Sequence, residues 1–531
     1  VDKITKSKDG YQNFKGVPFR PGQLEAVDFF NTSTKKLLII IAPCGSGKSL
    51  LGMVTGGCYN RFCYLVSSKP LQDQITTDFP EAMSMKGRSN YPCVQSRRYT
   101  AAECTHVATD PCIKKPVCPY EVQKKKVIQH DKQILNYSYM LIEANHVGRF
   151  SGYPVIIADE GDTLESHLSS QVSLNFSIRR MRELGIPAPK YKSFTAAGAL
   201  PAWQNWTRDA LVAVEHRGNL LQDRLGDTAK GSDENIRIIR EMSILGGLRS
   251  KMGALRQYMD DTWLVDIKKK GTDVLSWDIK PTWLSRDLTE QWFFRHADRV
   301  MMMSATFPAR DVLAELLGLS SGDIDVIEIP SSFPVANRPV KLLYAADLRT
   351  QKGGAGIDPG ELERAMKAIR DILKLHPGEK GLIHTVNWNL NAMAVQAAGD
   401  RAVTHEPMNK HEQLEKFFAM APSTGAVFIS PSSTRGIDCH GDRARFNIIL
   451  KCPYPYLGDK LVAARVYGKR GIGEYWYRSV TACDIVQAAG RVVRSRDDWG
   501  VTYIIDAQAC KLITSMQGLF PQYFLESLDI A

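Results

Sequence analysis

The sequence predicts an α/β fold made of two blocks of parallel sheet, and three observations carry that expectation. A short apolar run, Leu37 to Ile41, leads at once into a glycine-rich turn and then an apolar helix from Ser49. Strand-like runs go on alternating with helical stretches, the pattern of parallel strands joined by crossover helices. After a proline-bearing stretch from Ser331 to Pro339, read as a linker, the alternation begins again. A chain of 531 residues is also longer than one hydrophobic core usually supports.

In the first block the strands are expected at Leu37 to Ile41, Phe62 to Val66, Pro154 to Ala158 and Val300 to Met303. Two segments interrupt it. Residues 86–135 hold four cysteines, several prolines and ten Lys or Arg against four Asp or Glu, which reads as an insertion held by something other than a large core. Residues 171–275 are rich in Leu, Met, Arg and Glu, with helical spacing around Leu211 to Leu225 and Ile236 to Leu255, and read as a helical insertion. The second block offers strands at Val340 to Tyr344, Gly381 to His384, Ala426 to Ile429, Asn447 to Leu450 and Val501 to Ile505, with a helix near Glu361 to Leu375. The expected division is therefore 1–85, 136–170 and 276–335 for the first block, 86–135 and 171–275 for its insertions, and 336–531 for the second block.

Composition narrows the function classes. Hydrophobic residues at 44% and charged residues at 24% are ordinary for a soluble globular chain. The 68 Lys and Arg exceed the 57 Asp and Glu, a formal charge of +11 that suits a polyanion such as nucleic acid without requiring one. No apolar run of about 18 residues occurs, so no membrane span is expected. The opening Val1-Asp-Lys-Ile-Thr-Lys has no apolar signal region. Eleven scattered cysteines in a chain this large argue for reduced thiols or metal ligands in the cytoplasm, not a secreted disulfide framework.

Three groups of residues carry chemistry. Ala42-Pro43-Cys44-Gly45-Ser46-Gly47-Lys48-Ser49 follows the first strand and matches a phosphate-cradling loop, with Ala at the first glycine position. Gly45 and Gly47 let backbone N–H groups turn toward phosphates, Lys48 neutralises charge, and Ser49 can ligate Mg²⁺. The competing reading is a chance glycine turn, which the flanking strand and helix disfavour. Val155 to Ala158 runs into Asp159-Glu160-Gly161-Asp162. There Asp159 can hold Mg²⁺ and Glu160 can polarise an attacking water, although an acidic first helical turn would look the same in isolation. Far downstream, Gln487, Gly490, Arg491 and Arg494 stand at i, i+3, i+4 and i+7, which on a helix is one face. Such arginines can reach a γ-phosphate across a cleft, and taken alone they read better as a solvated basic face. Gly490 within that helix, at a cost of about 1 kcal/mol against Ala, argues for a close approach.

Together the phosphate loop, the Asp-Glu-Gly-Asp segment, Ser304-Ala305-Thr306 and Gln487 to Arg494 resemble motifs I, II, III and VI of superfamily 2 helicases. More narrowly, the chain resembles the iron–sulfur branch that includes XPD and DinG. That closer likeness rests on Lys86 to Cys93, Ser332-Phe333-Pro334 through Arg338-Pro339, and Arg435-Gly436-Ile437-Asp438 with Gly441-Asp442. It covers most of the chain, the helical insertion least. It implies two RecA-like lobes, with an Fe–S cluster insertion and a helical arch-like insertion in the first. ATP and Mg²⁺ are the implied cofactors, with Pro43, Ser46, Gly436 and Asp438 among the nucleotide contacts. Arg20 and Gln23, in Phe-Arg-Pro-Gly-Gln, resemble the family's adenine-proximal segment, and a plain surface turn explains them nearly as well. One departure stands out. The family usually has His where this chain has Asp162, which puts in question how that position couples hydrolysis to motif III and DNA.

Cys93, Cys104, Cys112 and Cys118 are separated by ten, seven and five residues. Spacing alone leaves zinc, an Fe–S cluster and no metal all open. The resemblance implies the four ligands of a [4Fe–4S] cluster serving as a structural staple. For nucleic acid, Arg88 and Tyr91 are the preferred contacts because they lie in the family-like segment. Arg97, Arg98, Tyr99 and Lys124 to Lys126 are weaker, and Lys124 to Lys126 also read as a solvated helix turn. Trp263, Trp277, Trp283, Trp292, Phe293 and Phe294 are expected mostly in the core. The resulting expectation is a monomeric, ATP-dependent motor on single-stranded and forked DNA, 5′ to 3′ by resemblance. The rivals are a translocase acting without unwinding, on RNA or in displacing protein, and a scaffold with a degenerate ATPase.

Overall fold

The computed structural model describes residues 4–7, 10–14, 17–94, 98–104, 117–190, 192–229, 232–351, 356–431, 439, 441–468 and 471–530. Two seven-stranded sheets dominate it, each parallel throughout. The first runs, across the sheet, through Ile324–Glu328, Leu37–Ile41, Ala297–Ser304, Tyr153–Asp159, Phe62–Val66, Lys132–Asn136 and Met83–Met85. Its strands Leu37–Ile41 and Phe62–Val66 are apolar at every position because both faces are covered. Leu37 and Ile39 enter one core and Leu38 and Ile40 the other, and Cys63 and Leu65 alternate with Tyr64 and Val66 in the same way.

The second sheet runs through Ala402–Val403, Val427–Ser430, Gly381–His384, Phe446–Ile449, Val501–Asp506, Val340–Ala346 and Leu528–Ile530. The expected strands are all present to within about two residues. Lys132–Asn136 is a strand that periodicity did not single out, so the sheet resumes inside the stretch read as the first insertion.

The second insertion needs a correction. Its helices, Ala199–Gly226 and Asp233–Tyr258, lie where the spacing put them and are cross-tied by Arg217–Glu241 at 2.9 Å and Arg224–Glu234 at 2.8 Å. They stand, however, on a three-stranded antiparallel sheet of Leu174–Ser177, Trp263–Lys270 and Asp273–Pro281. Trp263 and Val265, with Trp277 and Ile279, alternate with half-exposed neighbours, a period of two that a helical reading overlooks. Trp203, packed on Phe194, Trp206 and Trp277, is the largest fully buried side chain here. Its replacement by Ala would cost about 3–5 kcal/mol.

Candidate nucleotide cleft and nucleic-acid face

The register of the first sheet brings three motifs to one edge. Ile41 pairs with Ser304, and Met303 with Asp159, so the segments that follow all leave the carboxyl ends of adjacent strands. That edge is where open parallel sheets bind ligands.

The phosphate loop is built as its glycines require. Gly45 (φ +73°) and Gly47 (φ +78°) are left-handed, and Gly47 caps helix Lys48–Gly57. Space matters as much as conformation at Gly45: a Cβ there would lie 2.2 Å from Phe333 Cζ and 3.1 Å from the Arg494 carbonyl oxygen. The Ser331–Pro339 stretch thus wedges a ring against the loop. Ser46 Oγ is buried without a hydrogen-bond partner, and Lys48 Nζ donates to the carbonyls of Ala42 (3.1 Å) and Pro43 (3.2 Å). Gln23 is buried beneath the loop, its Nε2 donating to the Ser46 (2.8 Å) and Gly47 (3.2 Å) carbonyls while its Oε1 accepts from Arg20 N. In this arrangement Gln23 shapes the loop, a role sequence reading missed.

Asp159 is buried at the end of its strand. Its Oδ2 accepts from Tyr64 Oη at 2.9 Å, and Ser49 faces the same hydroxyl, so one phenol stands between Ser49 and Asp159. Burial pushes the Asp159 carboxyl above its ordinary value and Glu160 adds to this, against the opposing effects of Lys48 and Tyr64. Glu160 has φ +49°, uncommon for a residue with a side chain, and its carboxylate accepts from Ser67 Oγ. Gly161 is needed for close approach, since a Cβ would meet Met302 Cβ at 2.7 Å.

The second sheet supplies the opposite wall. Gln487 Nε2 donates to Thr306 Oγ1 at 3.0 Å and reaches Asp162 Oδ2 at 3.4 Å. Asp162 therefore does contact motif III, through Gln487. The helical-face reading of Gln487 to Arg494 is corrected: the helix is Gly473–Ala489 and Gly490 is its C-cap. A Cβ on Gly490 would meet its nearest neighbour at 3.5 Å, ordinary contact, so this glycine ends the helix and is not demanded by close approach. Arg491 and Arg494 are carried on the loop beyond, which Asp498 organises by accepting from Arg494 N (3.1 Å) and Gly441 N (3.1 Å) and by pairing with Arg445 (2.8 Å).

Both walls meet at Cys44. Burial raises its thiol, but the charges of Lys48, Arg494 and Arg491, with a hydrogen bond from Arg494, outweigh that and hold it below its ordinary value. Arg491 also lies beside buried His384, whose pKa is pushed down to about 3 by burial first and by that charge second. Gly436 and Asp438 lie outside the described residues.

Residues 370–526 match the helicase C-terminal domain family. The mouse regulator of telomere elongation helicase 1 is 26% identical over 140 residues, covering 22% of this chain and 12% of that protein. The human protein of the same name is 28% identical over 140 residues, with the same coverage. This chain thus matches about an eighth of those relatives' length. A solved XPD helicase superposes with TM-score 0.60 at 14% identity, covering 96% of this chain and 98% of its own; S. tokodaii Xpd4 does so with 0.53 at 13%, covering 96% and 98%. Residues 370–526 thus carry a helicase C-terminal domain, and the chain as a whole has the two-lobe fold of those XPD structures, one seven-stranded sheet to each lobe.

The remaining candidates fare unevenly. Cys93 sits beside the bridge Pro92–Thr100, Cys104 follows the turn Ala101–Glu103, Cys118 caps helix Pro119–Gln129, and none of the three is in a disulfide. Cys112 lies outside the described residues, among which no three His, Cys, Asp or Glu form a metal-holding group. Arg88 is exposed with its guanidinium 5.5 Å from the Tyr120 ring centroid, and Tyr91 packs edge-on to the same ring at 5.6 Å. Lys124 does not fit a solvated turn: it is buried and paired with Glu143 at 2.7 Å. Arg97 lies outside the described residues. Trp263, Trp277, Trp283, Trp292, Phe293 and Phe294 are buried, as expected. The most exposed rings among the described residues are others, Tyr456 (79%) and Tyr467 (72%) of the second lobe, and Lys268 to Lys270 are exposed at the insertion hairpin's tip. Among the described residues no helix is long and apolar enough to cross a membrane.

Proposed function

We propose that this chain hydrolyses ATP between its lobes and uses the cycle to move along single-stranded DNA, 5′ to 3′, parting the duplex at a fork. The observation that carries the reading is the meeting of Lys48 with Arg491 and Arg494 around Cys44. A triphosphate needs positive charge on both sides as its terminal group transfers, and these three side chains come from opposite walls.

The residues present fit the nucleotide. Gly45, Ser46 and Gly47 cradle the phosphates, and the unpartnered Ser46 Oγ is buried in that cradle. Pro43 sets the loop's entry, and Arg20 and Gln23 support it from below. Ser49 and Asp159, with the Tyr64 hydroxyl between them, would hold Mg²⁺, which neutralises phosphate charge. Glu160 takes the proton of the attacking water, while Gln487 relays cleft closure to Thr306 and Asp162. Gly436 and Asp438 are nucleotide contacts by the family resemblance alone.

DNA as the track is supported by the helicase relatives, and the exposed rings Tyr456 and Tyr467 and the exposed Lys268 to Lys270 are of the residue types that single strands stack on and pair with. Polarity rests on the family resemblance. Lobe 1 is taken as 1–335 with insertions at 86–135 and 171–275, and lobe 2 as 336–531, in a cytoplasmic monomer. Cys93, Cys104, Cys112 and Cys118 fit a [4Fe–4S] cluster in donor chemistry, four soft thiolates in one basic segment. Arg240–Glu103, at 3.1 Å, ties the arch-like helix Asp233–Tyr258 to that segment.

ATP hydrolysis with and without single-stranded DNA tests the function, with Lys48→Ala as control. Stimulation by DNA is expected, and its absence favours a scaffold. Forks with 5′ or 3′ tails then separate helicase from translocase and read polarity. Iron is expected in anaerobically purified protein and is lost in Cys112→Ser; a colourless, zinc-loaded wild type removes the cluster and leaves the motor.

A further inference from the structure

The two lobes also touch away from the nucleotide cleft. Trp283, Val312 and Leu316 from the first lobe form an apolar cluster with Trp476 from the second, joined by Val462, Val466 and Val480. Into this cluster helix Lys460–Tyr467 inserts a charge, Arg465, only 6% exposed. Its guanidinium carbon lies 5.5 Å from the Trp283 ring centroid and 5.2 Å from that of Trp476. Arg465 Nε donates to the Thr282 carbonyl at 2.8 Å, and Nη2 donates to Glu165 Oε1 at 2.7 Å.

Glu165 is what makes the contact more than adhesion. It stands in the first turn of helix Leu164–Val172, which follows Asp159–Asp162 through the short turn Gly161–Thr163. The second lobe thus grips this segment twice: Gln487 reaches Asp162 and Arg465 holds Glu165. A buried ion pair gains little over an apolar contact of the same shape, so adhesion alone gives no reason for a charge here. A planar guanidinium held by two acceptors and two indoles does fix the direction and separation of the parts it joins.

We propose that Arg465 is a positioning residue: through Glu165 it couples the placement of Asp159 and Glu160 to the position of the second lobe, and so sets the DNA-stimulated turnover. This rests on the ATPase reading above. Arg465 touches no nucleotide, so its loss should act on turnover and not on ATP affinity.

The test compares full-length wild type with R465Q, E165Q, the double variant and R465K. Expected is a DNA-stimulated kcat lower by about tenfold in each single Gln variant and no lower in the double, because the two act as one unit. KM for ATP should stay within about twofold, and R465K, which keeps charge without the fork, should recover part of the rate. Wild-type kcat in both single variants overturns the proposal. So does a loss that adds up in the double and tracks the melting temperature, the mark of a merely structural contact. A wild type without ATP hydrolysis would instead overturn the function itself, and with it this coupling.

Discussion

The candidate nucleotide cleft and the candidate nucleic-acid contacts differ in how they are encoded. In the cleft, residues from the start and the end of the chain converge on Cys44, and their motifs taken together mark them in the sequence. Of the candidate nucleic-acid contacts the preferred ring, Tyr91, packs on Tyr120, and the most exposed rings among the described residues are Tyr456 and Tyr467. A phosphate site makes demands that sequence must meet, namely left-handed glycines, a lysine at a helix start and carboxylates at a strand end. A stacking platform demands only an exposed ring, and exposure is a property of the fold.

That contrast can be broken most forcefully in the cleft. Lys48→Ala and Arg491→Ala should each lower kcat for ATP by about a thousandfold, as expected for charge that stabilises phosphoryl transfer. Steady-state hydrolysis at saturating ATP reads this directly. An Arg491→Ala protein with near-normal kcat would mean that the second wall does not reach the transferring group.

A smaller effect is expected on the other face. Tyr456→Ala or Tyr467→Ala should weaken single-stranded DNA binding by about 1–3 kcal/mol, measured by fluorescence anisotropy, with DNA-free hydrolysis unchanged. Tyr91→Ala should lower the melting temperature and leave DNA affinity nearly intact, because its ring and hydroxyl are engaged internally with Tyr120 and Lys86. The reverse pattern would return the nucleic-acid face to the cysteine-bearing segment.

What sequence could and could not show follows the same divide. Strands such as Leu37–Ile41 and Phe62–Val66 were legible because a strand covered on both faces is apolar throughout. Gly490 misled, because a glycine directly before a motif arginine fits both a helix interior and a helix end, and here it ends the helix. Gln23, Phe333 and Asp498 were legible only in part or not at all. Each acts by a contact across the fold: Gln23 on the loop carbonyls, Phe333 on Gly45, Asp498 on Arg494 and Gly441. No local pattern records such contacts. The hairpin Trp263–Lys270 with Asp273–Pro281 escaped because two long helices set the texture of the whole insertion.

The mildest test concerns pH and again separates wiring from local pattern. Asp159 must be ionised to hold Mg²⁺, and burial raises its carboxyl above the ordinary aspartate value. It therefore takes up a proton at a higher pH than a free aspartate, so the apparent Mg²⁺ affinity should fall on acidification before an exposed carboxylate would titrate. Lys48 and the Tyr64 hydroxyl both oppose the rise. Tyr64→Phe deletes only the hydroxyl and should move the acidic limb of the Mg²⁺ profile upward, because the carboxylate loses a hydrogen bond that favours its charged form. Hydrolysis followed against Mg²⁺ at a series of pH values reads the limb. A limb that stays put in Tyr64→Phe would mean that the Ser49–Tyr64–Asp159 line does not tune the metal-binding carboxylate, and that the loop and the strand end are coupled through Lys48 alone.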